Sequence, residues 1–124
     1  MFSYSKKEKL KSQKLIEELF SQGKSLTVFP LKLVYLKTTF DDGATMKTGV
    51  SVSKRNFKKA VDRNRIKRLL REAYRLNKAV YFNNISGSYA LMILYLGKDG
   101  ADFASIDKKM KTLLNSFREK MSQP

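Results

Sequence analysis

The chain has 124 residues, a length that fits one domain and leaves little room for two. It carries 26 lysines and arginines against 11 acidic residues, and its formal net charge of +15 favours an anionic partner. Cysteine and histidine are both absent, which excludes disulfides, thiolate chemistry and the commonest general base and metal ligand at neutral pH. With 42% hydrophobic residues, the chain can still bury a core.

Two segments bear on targeting. Residues 1–14 are rich in lysine but lack the apolar stretch of a signal peptide. The longest apolar run, residues 89–96, is far shorter than the roughly 20 residues that span a bilayer. We therefore predict a cytoplasmic protein with no membrane partner, folded as a single domain over residues 1–124.

The first half of the chain predicts one short helix and three strands. Ser12 suits the N-cap of a helix that Gly23 would end in a left-handed conformation. The apolar face of this helix contains Leu15, Ile16, Leu19 and Phe20. Segments 24–29, 31–38 and 46–53 are typical of strands, and alternation in the last one predicts a polar face with Ser51 and Ser53.

The second half predicts helix, strand and helix. Residues 61–78 have helical spacing, with Ile66, Leu69, Leu70 and Ala73 as the apolar stripe. The continuous apolar run 89–96 is typical of a central strand covered on both faces. A last helix begins near Asp102 or Ser105. The order α-β-β-β-α-β-α predicts an α+β fold, a mixed α/β sandwich in which helices pack on a four-stranded sheet.

Charge is concentrated in the middle of the chain. Residues 47–78 contain twelve lysines and arginines against two acidic residues, so they supply +10 of the +15. On the predicted helix these form two ridges, one of Arg63, Lys67 and Arg71 and one of Arg65, Arg68 and Arg75. A solvated basic face is the alternative, but like charges four residues apart cost stability unless a partner neutralises them. The predicted RNA-binding residues are Lys54, Arg55, Arg63, Asn64, Arg65, Lys67, Arg68 and Arg71.

The acidic residues do not form a catalytic pair. Asp41, Asp42, Asp99 and Asp102 fall in predicted turns and caps, where aspartate is common for local hydrogen bonding. No metal-ligand spacing or glycine-rich phosphate loop is present in the sequence. We predict no catalytic residue and no metal bound by the protein alone.

Two linked segments resemble the signature of the bacterial ribonuclease P protein subunit. They are Ser51-Val52-Ser53-Lys54-Arg55 and Ala60-Val61-Asp62-Arg63-Asn64-Arg65-Ile66-Lys67-Arg68. Leu10, Ile16, Leu19, Phe20 and Gly23 also match the first helix of that family. The sequence departs from the family at Lys58, where glycine is usual, and at Ile16, where an aromatic residue is frequent.

The resemblance implies a protein that assembles with a catalytic RNA and helps it remove the 5′ leader of precursor tRNA. Mg²⁺ is then held mainly by the RNA, which performs the hydrolysis, and no obligate protein partner is expected. It also implies a left-handed βαβ crossover, whereas pattern alone favours a right-handed one. A cleft between the first helix and the sheet would take the leader, with Phe20, Tyr35, Ser51 and Ser53 as candidate contacts.

Several alternatives stay open at this point. Phe20 could belong to the core, and the inner face of strand 31–38 is undecided, so Tyr35 could lie in the core or in the cleft. Ser51 and Ser53 could be simply solvated. A ribosomal or other structural RNA-binding protein is the alternative function; a DNA-binding or membrane-surface protein fits less well because the apolar stripe of the basic helix is expected to be buried.

Overall fold

The element order agrees with the prediction. A computed structural model describes residues 8–83 and 85–122. Its elements are α1 (Gln13–Gln22), β1 (Lys24–Val28), β2 (Leu31–Lys37), β3 (Met46–Val52), α2 (Ala60–Phe82), β4 (Tyr89–Tyr95) and α3 (Phe103–Met121). The lysine-rich segment 1–14 is described only from Glu8, and its earlier residues lie outside the described ones.

The four strands form one mixed sheet in the order β1-β2-β4-β3. β1 pairs antiparallel with β2 and β2 with β4, whereas β3 and β4 are parallel. The central place of β4 confirms the prediction from its continuous apolar run. The α+β class is likewise confirmed, and β3, α2 and β4 form a βαβ unit. The left-handedness of this crossover stays a prediction.

Strand alternation divides the core between the two faces of the sheet. One face of β2 and β4 packs against α2 and α3. This cluster contains Leu31, Leu33, Leu91 and Ile93 from the strands and Ile106, Leu113 and Phe117 from α3. The opposite face packs against α1 through a smaller cluster of Leu10, Leu19, Val34, Ala90 and Met92. β4 is therefore covered on both sides, which accounts for its lack of polar residues.

α1 begins as predicted but ends for a different reason. The Ser12 side chain accepts a hydrogen bond from the Leu15 amide at 3.3 Å, as an N-cap does. Gly23, predicted to be left-handed, instead has φ −70° and ψ 158°, which is extended backbone. A Cβ at Gly23 would collide with the Leu19 carbonyl oxygen and approach Val34 Cγ1 at 3.0 Å. Glycine is needed here because the backbone passes close to its neighbours.

α2 is one turn longer at its carboxyl end than predicted. It extends to Phe82, whose ring lies 5.9 Å from Tyr74 and 5.8 Å from Phe117, so tertiary packing keeps the last turn helical. Asn77 continues the buried stripe as a polar member: its Nδ2 donates to the Ala73 oxygen and to Asp107 Oδ1, both at 2.7 Å. The Asp107 bond joins α2 to α3.

A run long and apolar enough to cross a bilayer is not found in any helix of residues 8–83 and 85–122.

Phe117 should carry far more of the stability than Phe20 does. It is fully buried and makes edge-on contacts with Tyr35 at 5.2 Å and Tyr89 at 5.5 Å, whereas Phe20 is 50% exposed. We expect Phe117→Ala to lower the free energy of unfolding by about 3–5 kcal/mol and Phe20→Ala by about 1 kcal/mol or less. Urea denaturation of both variants checks this, and equal losses would contradict it.

Candidate nucleic-acid interface

The most exposed row of α2 is strongly basic. Asn64, Arg68 and Arg71 follow each other at i, i+4 and i+7, are all exposed, and lie opposite the buried Ile66 and Leu70. We call these three residues the outer row; Lys67 flanks it and is half-buried. The structure thus regroups the two predicted ridges: Arg71 comes from one and Arg68 from the other, and Asn64 belonged to neither.

Two arginines beside the outer row hold the start of α2 in place. Arg63 Nη1 donates to the carbonyl oxygens of Phe57 and Lys58, both at 2.8 Å, so it ties the helix to the preceding loop. Arg65 Nη1 donates to the Ala101 oxygen at 3.1 Å, which ties the helix to the residues before α3. These guanidinium groups are committed in part to the protein itself.

Arg65 also contributes to the electrostatics of the α3 N-cap. Hydrogen bonds from Ser105, one of them from its amide at 2.9 Å, lower the pKa of the Asp102 carboxyl, and the Arg65 charge adds to the effect. Arg75, placed in a predicted ridge, is instead paired with Glu72 within α2. Lys67, Arg68 and Arg71 differ from these arginines because the described residues provide them with neither an ion pair nor a carbonyl acceptor.

Lys54 and Arg55 lie in the turn after β3, at the same end of the sheet as the start of α2, and both are exposed. Ser53 shapes this turn: its hydroxyl accepts a hydrogen bond from the Arg55 amide at 3.0 Å, and its carbonyl accepts one from Phe57 at 3.1 Å. The predicted cleft contact Ser53 thus has a structural use, while its exposed position leaves it beside the basic turn.

Within residues 8–83 and 85–122, part of the sheet face that carries α1 is not covered by a helix. Lys32 pairs in register with Thr27 on one side and with Leu94 on the other, and Leu94 pairs with Ser51. Directly opposed residues point to the same face, and Leu94 packs at the border of the α1 cluster. This row crosses all four strands, and each member is at least partly exposed. We call Thr27, Lys32, Leu94 and Ser51 the open face.

The open face lies next to the basic end of the sheet. Leu10 approaches Gly49 and Met92, and Gly23 approaches Val34, so the segment containing α1 crosses the other half of the sheet. The next row of register partners toward this end of the sheet is Leu31, Tyr95 and Val52. β3 ends at Val52, and Lys54 follows in the turn. Ser51, a predicted cleft residue, belongs to this surface.

Phe20 and Tyr35, the two predicted aromatic contacts, have opposite environments. Phe20 is 50% exposed on α1, so its core interpretation does not hold and its ring is accessible. Tyr35 is 4% exposed and packs against Phe117 on the face covered by α3, so the expectation that it lines the cleft is corrected. The alternation of β2 sends Leu31, Leu33 and Tyr35 to one face and Lys32 to the other.

Sequence reasoning missed Lys32, Thr27 and Leu94. The alternation of β2 could have indicated this surface. If Leu31 and Leu33 face α2 and α3, Lys32 must point to the opposite face of the sheet. Phe57 is buried against Tyr95, with the ring centroids 5.9 Å apart. Within residues 8–83 and 85–122 there is no group of three or more acidic side chains that could hold a metal ion.

Comparisons with known proteins point to one family. A family model described as Ribonuclease P matches residues 4–118. The ribonuclease P protein component of Porphyromonas gingivalis is 36% identical over 118 residues, covering 91% of this chain and 85% of the relative. The component of Dictyoglomus thermophilum is 31% identical over 121 residues, covering 97% and 92%.

Solved structures show the same fold. The RNase P protein from Thermotoga maritima superposes with a TM-score of 0.70 at 26% identity, covering 88% of this chain and 96% of that one. The RNase P protein from Staphylococcus aureus has a TM-score of 0.71 at 18% identity, covering 94% and 98%. Fold and site define a small α+β protein that presents an arginine-rich helix at one end of its sheet. The chain belongs to the ribonuclease P protein family.

Arg63 and Arg68 should differ in their effect on stability. Arg63→Ala removes the bonds to two carbonyl oxygens, so we expect it to cost about 1–2 kcal/mol. Arg68→Ala should stay within about 0.5 kcal/mol because that side chain is exposed. Arg63→Lys should restore only part of the loss, since lysine lacks the planar fork. Denaturant unfolding of the three variants gives the comparison; indistinguishable curves for the two alanine variants would contradict the anchoring role.

Proposed function

We propose that this chain is the non-catalytic protein subunit of a ribonuclease P ribonucleoprotein, an endoribonuclease whose RNA performs the hydrolysis. In this proposal the protein binds the catalytic RNA and the 5′ leader of precursor tRNA in the cytoplasm, and the Mg²⁺ ions are held mainly by RNA. The observation that carries the proposal is the outer row with its flanking Lys67, an exposed and uncompensated basic surface in a member of this family.

The physical argument starts from the cost of that surface. Lys67 and Arg71 are four residues apart and Arg68 and Arg71 three apart, so they repel one another on the helix. A phosphate chain removes the repulsion, and arginine can hold a phosphate with two parallel hydrogen bonds. Asn64 adds a donor and an acceptor that could reach a base edge or a 2′-hydroxyl.

The open face suits a single strand rather than a duplex. It combines a cation, two hydroxyls and an apolar side chain in one row, and an accessible ring lies on α1 at Phe20. Single-stranded nucleic acids are bound by basic grooves with aromatic platforms on which bases stack. In this proposal, therefore, the outer row and the Lys54–Arg55 turn anchor the catalytic RNA, and the open face with Phe20 holds the leader.

Reconstitution tests the function directly. The purified protein is added to the catalytic RNA and precursor tRNA at low Mg²⁺, where the protein should stimulate 5′ cleavage. A ribosomal or other structural RNA-binding protein would bind RNA without this stimulation. Unchanged cleavage with a folded, RNA-bound protein would therefore favour that alternative.

The outer row should account for a measurable part of the salt dependence of RNA binding. Arg68→Ala combined with Arg71→Ala removes two phosphate contacts, so the log–log slope of affinity for the catalytic RNA against salt should fall by roughly 1.4–1.8. The matched control, Lys24→Ala with Lys120→Ala, removes equal charge beside a cavity at the opposite end of the sheet. Filter binding over a salt series measures both, and equal slopes for the two double variants would refute the anchor.

Phe20 should affect recognition of the leader and little else. One stacked base is worth about 1–3 kcal/mol, so Phe20→Ala should weaken holoenzyme binding of precursor tRNA by about ten-fold. Binding of mature tRNA and of the catalytic RNA should barely change, since neither uses the leader site. Affinities for both tRNAs and a thermal melt decide this. If the variant is stable and prefers precursor over mature tRNA as strongly as wild type does, Phe20 does not belong to the leader site.

A further inference from the structure

The turn between β1 and β2 exposes an aromatic ring that the core does not use. Phe29 is 66% exposed, more than Phe20, and lies outside both hydrophobic clusters. Burying such a ring stabilises a protein, and this chain forgoes most of that gain. Phe29 is followed by Pro30, and the peptide bond between them is cis.

Hydrogen bonds connect this turn to the basic end of the sheet. The Leu96 amide donates to the Pro30 carbonyl oxygen at 2.6 Å, and Asn56 Nδ2 donates to the Gly97 carbonyl oxygen at 3.3 Å. The turn that carries Phe29, the segment after β4 and the segment with Lys54 and Arg55 are therefore neighbours. β2 and β3 are separated by two strand spacings, about 10 Å.

Charge and parity point to the same surface. Thr27, two residues before Phe29, belongs to the open face, as does its register partner Lys32. Strand alternation extended by two residues brings position 29 to the side of the sheet that carries Thr27. The exposed cations Lys54 and Arg55 lie at the same end of the sheet. Lys98 comes directly after Leu96 and Gly97 and is followed by the acidic residue Asp99.

We propose that Phe29 is a stacking platform for one base of the single-stranded leader, beyond the part held on the open face. The proposal deepens the proposed function and rests on it. An exposed aromatic ring flanked by cations is the arrangement that binds single-stranded RNA without sequence preference, because every base has a π face. The leader would then run across the open face and end against the β1–β2 turn.

A series of leaders lengthened one nucleotide at a time tests this placement. Wild-type holoenzyme should gain affinity for precursor tRNA at the length that reaches Phe29, by roughly five-fold to a hundred-fold for one stacked base. Phe29→Ala should lose that step and keep the gains of the shorter leaders. Phe29→Tyr should keep it, because the ring remains. Val80→Ala is the matched control, since Val80 is 58% exposed at the far end of α2.

A fluorescent reporter provides a second readout that does not depend on the size of the affinity change. The chain contains no tryptophan, so Phe29→Trp introduces a single indole, and Val80→Trp gives the matched control. Precursor tRNA with a long leader should quench the indole at position 29 in the holoenzyme. Neither mature tRNA nor precursor tRNA with a short leader should quench this indole. The indole at position 80 should respond to none of these three RNAs.

The outcomes separate this inference from the function on which it rests. If wild-type holoenzyme does not prefer precursor over mature tRNA, the leader-binding function itself fails. If wild type has that preference but Phe29→Ala keeps every step of the length series and Phe29→Trp is not quenched, the stacking platform is overturned and the function stands. Loss of the long-leader step in a variant that melts like wild type supports the platform.

Discussion

The architecture depends on a strand that must be kept from water on both sides. β4 contains no charged residue and all of it is buried except Leu94, so neither face of the sheet can be left wholly to solvent. The two long helices take one face. Among the described residues, α1 is the one helix on the other face, and its ten residues span about 15 Å against seven-residue strands about 23 Å long. The cover is incomplete, and the uncovered part is the open face.

Anchoring and binding are divided among the arginines of α2. Arg63 and Arg65 hold the helix to backbone carbonyls on either side, which fixes where the outer row points. Arg68 and Arg71 are free of such bonds within the described residues and keep their donors for a ligand. Local hydrogen bonds thus hold the first turns of the helix against its own repulsion, and the polyanion of the proposed function would offset the rest.

Element order, the central strand and the basic segment were predictable because each follows from a strong periodicity or a local concentration of charge. Three details could not be predicted from the sequence. The end of α2 depends on the packing of Phe82 against Phe117. The conformation of Gly23 depends on the close approach of Leu19. The burial of Tyr35 depends on which face of β2 the helices cover. In β2 both faces are apolar enough to be buried, so alternation gave no signal until the packing of the helices was known.

The outer edge of β1 affects how copies of this protein meet one another. Within the described strands β1 pairs only with β2, so its other side presents unpaired amides and carbonyls that could extend the sheet into a neighbouring molecule. The strand is short, begins with Lys24 and is half polar, and the net charge of +15 keeps free molecules apart. Neutralising that charge removes long-range repulsion, so in an assembled particle only the shortness and polarity of β1 oppose aggregation through this edge.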